Sequence, residues 1–189
     1  MGRVPDEVEV GEHGLVLRRW CMDDYGALMA AVESSYEELH AWMPWAVRPL
    51  GDNERTFLRK VEAGEMAAWG LWERHPGELV GGFGLHCRAG PGVLEIGYWV
   101  RTDRTGRGYG TAAARALTTA AFASDPGVDR VEIHCDAANL ASAAIPRKLG
   151  YRLLKEVGVE IVTPGQCGRQ QSWGVTRREW QGQGRAAGW

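Results

Sequence analysis

Leu94-Glu-Ile-Gly-Tyr-Trp-Val100 runs directly into Arg101-Thr-Asp-Arg-Thr-Gly-Arg-Gly-Tyr-Gly-Thr111, and the helix-forming segment Thr111-Ala-Ala-Ala-Arg-Ala-Leu-Thr-Thr-Ala-Ala-Phe122 follows. The first stretch is an apolar strand. The last has high helical propensity, with a stripe at Ala113, Ala116, Leu117, Ala120 and Ala121, so a helix is predicted over Gly108 to Phe122. Between them, Gly106, Gly108 and Gly110 let successive backbone N–H groups turn into one concavity that no Cβ obstructs. The helix adds its unpaired N-terminal donors and the positive end of its dipole. The product is an anion cradle suited to a pyrophosphate, with Arg104 and Arg107 placed at its rim for a further phosphate.

Two other phosphate motifs compete for this stretch. The chain contains no GKS or GKT, so a Walker loop is excluded. Gly108-Tyr-Gly-Thr-Ala-Ala113 satisfies GxGxxA and Asp136 ends the next strand, which raises a nicotinamide-dependent oxidoreductase as an alternative. That motif belongs in the first strand-to-helix turn of a parallel unit. Here it sits mid-chain behind a run of antiparallel strands.

Working outward, Leu15 to Arg18 reads as a strand, Tyr25 to Val32 as a helix behind Asp23-Asp24, and Ser35 to Ala41 as a short second helix. The Trp42-Met-Pro-Trp45 turn ends it, because a residue before proline is driven out of the α region. Asp52-Asn53 cap a further helix that stops at Gly64. Strands are then expected at Ala67 to Trp72, Leu79 to Leu85 and Val93 to Val100, joined by short turns into an antiparallel meander. After the long helix come a strand at Val131 to Cys135, a helix at Asn139 to Leu149 stopped by Gly150, an extended run Tyr151 to Ile161, and a strand at Ser172 to Val175. TRREW closes the ordered chain as one turn of helix before a loose tail at about 182–189. This order describes an α+β fold with a mixed sheet, as a single domain over residues 1–189.

With 44% hydrophobic and 24% charged residues, the composition is that of a globular domain able to build one core. The net charge of −2 supplies no overall field for nucleic acid or an anionic membrane. Cys21, Cys87, Cys135 and Cys167 form no CxxC pair, so four free thiols and no metal site are expected. The acidic start MGRVPDEVEVGEHG lacks the apolar core of a secretory signal, so a cytoplasmic protein is expected.

The motifs together resemble the GNAT superfamily of acyl-CoA-dependent N-acetyltransferases, and within it the RimJ/RimL-like group. The family loop reads Gln/Arg-x-x-Gly-x-Gly/Ala, and Thr105-Gly-Arg-Gly108-Tyr-Gly110 occupies it with Thr105 in place of the usual Gln or Arg. The resemblance extends to LHAWMPWA at 39–46, LEIGYWV at 94–100, NLASAAIPRKLGY at 139–151 and VTRREW at 175–180. It implies a mostly antiparallel central sheet splayed in the middle and flanked by helices on both faces. It also implies acetyl-CoA as cofactor, whose pantetheine would bond main-chain groups of Tyr98, Trp99 and Val100. The pyrophosphate would meet Arg104, Thr105, Gly106, Arg107, Gly108, Tyr109, Gly110 and Thr111.

Acyl transfer to nitrogen needs an uncharged amine, a polarised carbonyl and a proton for the departing thiolate. The resemblance puts Glu95 at the position of the glutamate that serves as base or water relay, the alternative being a structural partner for an arginine. It puts Asn139 on the cofactor arm and Ser142 near the thioester sulfur as proton donor. Asn139 is equally suited to capping its helix, and Ser142 to packing. The family's common tyrosine acid falls at Pro146, which shifts the donor role to Ser142 or a water. Single histidines such as His40, His86 and His134 read as structural, while Trp42 and Trp45 are candidates for the acceptor pocket.

The reading is direct transfer from acetyl-CoA to a primary amine within a ternary complex, by a monomer or homodimer. The acceptor is either a protein N-terminal α-amine or an amino-bearing small molecule such as an antibiotic. A non-catalytic acyl-CoA-binding regulator is the alternative that the substitutions at Thr105 and Pro146 leave open.

Overall fold

Period-two alternation in the strand segments is realised in a computed structural model, which describes residues 4–11 and 13–187, as one eight-stranded sheet. In chain order the elements are β1 (Glu7–Val10), β2 (Leu15–Arg19), α1 (Tyr25–Ser34), α2 (Tyr36–Trp42), α3 (Asp52–Glu62), β3 (Ala67–Glu73), β4 (Leu79–His86) and β5 (Val93–Val100). They continue with α4 (Tyr109–Ser124), β6 (Arg130–Asp136), α5 (Leu140–Lys148), β7 (Arg152–Gly158), β8 (Arg169–Thr176) and α6 (Arg177–Ala187). The strands lie in the order β1-β2-β3-β4-β5-β6-β8-β7. Every neighbouring pair is antiparallel except β5 with β6. The α+β class and the mixed, mostly antiparallel sheet are therefore as the sequence indicates.

Alternation divides the core in two. Leu15 and Leu17 of β2, Leu94 and Ile96 of β5, and Val131 and Ile133 of β6 are buried on the face that carries α4. Val16, Ala68, Trp72 and Leu79 are buried on the other, against Leu28 and Val32 of α1 and Leu58 and Val61 of α3. Ala113, Ala114, Leu117, Ala121 and Phe122 form the buried side of α4, whose small residues let it lie close to the sheet. Leu117 and Phe122 each contribute about 1.5–3 kcal/mol of burial there. At the end of α4, the Arg177 guanidinium donates to the carbonyls of Phe122, Asp125 and Val128, satisfying main-chain acceptors left over by the helix and its loop.

The structure differs from the sequence reading at both ends. Glu7-Val-Glu-Val10 is a strand, pairing Val10 with Leu15; Val10 enters the core while Glu7 and Glu9 reach out to Arg74. At the other end, TRREW opens an eleven-residue helix whose backbone continues to Ala187, where a loose tail is expected; residues 188–189 lie outside the described chain. Trp180 anchors it, buried edge-on to Tyr151 with its indole N–H on Thr119 of α4. The extended run after Tyr151 leaves the sheet at Gly158, and residues 159–168 form a loop before β8.

Candidate active site

The parallel ladder between β5 and β6 has three rungs, Val93 with Arg130, Leu94 with Val131 and Glu95 with Glu132. Past Glu95 the strands part. β5 stays on β4 as far as Val100 opposite Gly81, and β6 stays on β8 as far as Asp136 opposite Gln170. The splayed sheet of the sequence reading is this seam, which opens toward the N-terminus of α4.

The glycine loop stands at that opening. Gly106 and Gly108 have φ of +75° and +82°, the left-handed region in which a side chain is strained. The first bond within α4 runs from Ala112 N–H to the Gly108 carbonyl at 3.0 Å, so the helix geometry leaves the amides of Tyr109, Gly110 and Thr111 as outward donors. Gly110 is required by packing: a Cβ there would lie 3.0 Å from Ile145 Cδ1 and 3.5 Å from Val100 Cγ2. The loop thus fits an anionic group of pyrophosphate size. Thr105 is turned inward, its hydroxyl donating to the Thr102 carbonyl at 2.8 Å. Arg104 is engaged by Glu73 at 3.5 Å and by Glu78, and Arg107 donates to the Asp103 carbonyl at 3.2 Å. Arg104 is therefore paired with carboxylates of its own chain, which leaves the main-chain amides as donors open to an anion.

On the α4 side of the seam, α5 begins where Asn139 Oδ1 accepts from Ser142 N–H at 3.0 Å, so Asn139 is a helix cap. Pro146 lies inside the helix and has no N–H to give to the carbonyl four residues earlier, that of Ser142. The phenol of Tyr98 takes that place, 3.1 Å from the Ser142 carbonyl and 3.1 Å from Ser142 Oγ. Burial pushes the Tyr98 phenol well above the ordinary tyrosine range. Cys135 of β6 is a further buried neighbour of Ser142, its thiol also pushed up by burial. The seam is walled here by protonated groups. Sequence reasoning assigned only the backbone of Tyr98; the signal for its side chain is alternation along β5, which sets 94, 96, 98 and 100 on one face.

The opposite face carries charge. Glu95, 13% exposed at its side chain, receives Arg88 at 3.2 Å and lies 3.6 Å from His134 Nδ1. His134 Nε2 is 2.6 Å from Glu132, whose other oxygen accepts from Arg130 at 2.6 Å. Burial works to raise the Glu132 carboxyl, but His134 and Arg130 outweigh it and hold it below the usual range. Glu95 is paired with an arginine, as the structural alternative of the sequence reading has it, and it stands at the parting of the strands. His134 belongs to the same cluster, which the absence of a helical partner at i+4 concealed.

Trp99 lies across Gly82 on this face, where a Cβ would come 2.6 Å from its indole nitrogen, and Trp45 stands against it at 6.3 Å between ring centroids. Trp42 meets the loop 159–168 instead. Gly165 N–H donates to the Ala41 carbonyl at 2.9 Å, and the Trp42 ring covers the same glycine. At its other end Asp136 Oδ1 accepts from Cys167 N–H at 3.1 Å and from its thiol at 3.0 Å. The loop is a strap from the tip of β6 to α2. Trp42 and Trp45 are therefore on the side of Glu95, but hold different partners. None of the four cysteines is in a disulfide, and no cluster of metal-ligating side chains occurs among the described residues.

The family model described as the acetyltransferase (GNAT) domain matches residues 14–152. A Bacillus subtilis (strain 168) protein named "Putative ribosomal N-acetyltransferase YdaF" is 26% identical over 188 residues, covering 93% of this chain and 97% of its own. RimL, a ribosomal L7/L12 α-N-protein acetyltransferase solved in complex with coenzyme A, superposes with a TM-score of 0.77 at 18% identity, over 90% of this chain and 97% of RimL. The microcin C7 self-immunity acetyltransferase MccE, solved with acetyl-CoA and AMP, gives 0.76 at 15% identity, over 91% and 97% of the two chains. With the family match spanning most of the parted sheet and its glycine loop, the chain belongs to the GNAT acetyltransferases.

Proposed function

We propose that this enzyme transfers the acetyl group of acetyl-CoA directly to a primary amine held in the same complex, and that the amine is the N-terminal α-amine of a protein. The observation that carries the reading is the seam itself. Where the ladder stops after Glu95, one wall presents the Tyr98–Ser142 hydroxyl pair and the other presents carboxylates and an imidazole. Acetyl-CoA supplies a thioester carbonyl already activated toward nitrogen. The amides of residues 106–111 hold the diphosphate, and the parted edge of β5 from Tyr98 to Val100 offers main-chain groups along the seam. Ser142 relays to the departing sulfur the second proton that the amine releases as the amide forms, and Tyr98, kept protonated by burial, holds Ser142 Oγ in place. On the other face Glu95 receives the proton of the ammonium, directly or through water.

The acceptor side favours a cationic chain end. Glu95 and Glu132 lie on that face, each also paired with an arginine, and Trp45 with Trp99 forms an apolar wall on the same side. RimL acts on the N-terminus of a ribosomal protein, which supports an α-amine, whereas MccE supports an amino-bearing small molecule as the rival acceptor. The deciding experiment incubates the protein with acetyl-CoA and a panel of tetrapeptide amides beginning Ser, Ala or Met, an aminoglycoside and a polyamine, following free thiol. Peptide acetylation confirms the reading. Turnover only with the small molecules overturns the acceptor class, and binding of CoA without turnover of any amine marks a regulator. Calorimetry with CoA and with NAD separates the oxidoreductase alternative.

A further inference from the structure

We propose that His134, set in place by Glu132, is the proton acceptor for the incoming amine jointly with Glu95. The inference rests on the acyl-transfer reading and adds a residue to it. Alternation along β6 turns Glu132, His134 and Asp136 away from α4, onto the face that carries Glu95 and Trp99. Both oxygens of Glu132 are used, Oε1 by Arg130 Nε and Oε2 by His134 Nε2, each at 2.6 Å. An ionised carboxylate only accepts hydrogen bonds, so the imidazole carries its hydrogen on Nε2 in this contact. The Nδ1 lone pair is left facing Glu95 Oε2 at 3.6 Å.

Two acceptors that converge without a hydrogen between them form a place for a donor. An ammonium, with three N–H groups, satisfies both at once, and so does a water that relays its proton. The pair stands at the last rung of the β5–β6 ladder, where the strands begin to part. The charged and titratable groups facing it are Arg88 on Glu95, His86 opposite Glu95 on β4, and Glu132, Arg130 and Asp136 on its own strand. On β8 the residue paired with His134 is the uncharged Ser172. Burial, with Arg88 adding to it, pushes the His86 imidazole down against the opposing pull of Glu95.

The protons balance. His134 Nδ1 takes one from the ammonium, and the resulting imidazolium lies between two carboxylates. The lone pair freed on nitrogen forms the C–N bond, the C–S bond breaks with its electrons on sulfur, and the second amine proton reaches that sulfur by way of Ser142. Amide, thiol and one proton on His134 are the products.

The test compares wild type, His134→Gln and Glu132→Gln with acetyl-CoA and the best tetrapeptide amide of the panel, recording kcat/KM from pH 6 to 10. The expected result for His134→Gln is a loss of about 100-fold near neutral pH. The loss should shrink toward pH 10, where the α-amine is already free, with the KM for acetyl-CoA unchanged. A loss of equal size at every pH, or no loss, overturns the proposal. Imidazole nitrogen NMR of the unliganded protein gives a second readout independent of turnover. His134 should be the Nε2–H tautomer in wild type and a mixture in Glu132→Gln; an Nδ1–H tautomer in wild type overturns it. If wild type acetylates no amine, the proposed function fails and the tautomer alone decides the positioning by Glu132.

Discussion

The hydroxyl of Tyr98 donates, at 3.1 Å, to the carbonyl of Ser142, the group that Pro146 leaves without a helical donor. A proline inside α5 thus ties the helix to β5 across the parted seam. The same phenol lies 3.1 Å from Ser142 Oγ, so one residue both repairs the backbone and contacts the hydroxyl proposed to protonate the leaving sulfur.

Removing either hydroxyl should therefore separate rate from affinity. Ser142→Ala is expected to lower kcat by about 100-fold with little change in the KM for acetyl-CoA. Tyr98→Phe is expected to lower kcat and also to cost about 1 kcal/mol of stability, because the partly buried Ser142 carbonyl loses its donor. Steady-state kinetics with denaturant unfolding checks both, and an unchanged kcat for Ser142→Ala assigns that serine to packing.

Gly108→Glu should abolish CoA binding while the helical far-ultraviolet signal persists. The side chain would begin 3.4 Å from His13 Nε2, in a left-handed backbone at φ +82°, and would bring a negative charge to the anion cradle. Gly106→Ala provides the control, since nothing lies within 4 Å of its Cβ and only the backbone is strained, by about 1–2 kcal/mol. Calorimetry that finds unaltered affinity in Gly108→Glu removes the loop from cofactor binding.

The strap should govern the acceptor and not the cofactor. In Gly165→Val the new Cβ would lie 2.6 Å from the Ala41 carbonyl oxygen and 3.1 Å from the Trp42 ring, so the strap lifts from α2. The expected outcome is an acceptor KM raised about tenfold, one factor of ten per 1.4 kcal/mol lost, with CoA affinity unchanged by calorimetry.

Alkaline pH should destabilise the fold through two buried phenols. Burial raises both Tyr98 and Tyr151 above the ordinary range; Tyr151 is further held 2.7 Å from the Thr118 hydroxyl. The unfolded chain releases these protons near pH 10, where the folded chain keeps them, so the unfolded state binds fewer protons and stability falls as pH rises past that point. Below it the contribution is complete. Chemical unfolding from pH 8 to 11 should show the decline, and the double substitution Tyr98→Phe with Tyr151→Phe should flatten it.

Much of this was legible in residue types and spacing. The glycine loop between an apolar strand and a helix announced the anion cradle, because backbone conformation there depends on residues within a few positions. Alternation marked the meander and the strands that flank the seam. What escaped were relationships set by tertiary pairing. Tyr98 and Ser142 are 44 residues apart, and Glu95 and His134 meet because two strands distant in sequence run parallel for three rungs. Glu7 to Val10 escaped for another reason: four residues among glycines and acids carry little local signal, and pairing with Leu15 to Arg18 makes them a strand. The terminal helix depends in the same way on Trp180 finding Tyr151 and Thr119.

The short ladder between β5 and β6 also has a meaning for what the protein avoids. An unpaired strand edge on an outer surface invites the strands of other chains. Here the bare edge of β5 beyond Glu95 lies inside the sheet, between β4 and the diverging β6, and not on its outer rim. The break thus bares main-chain donors and acceptors without adding an outer edge at which another chain could extend the sheet.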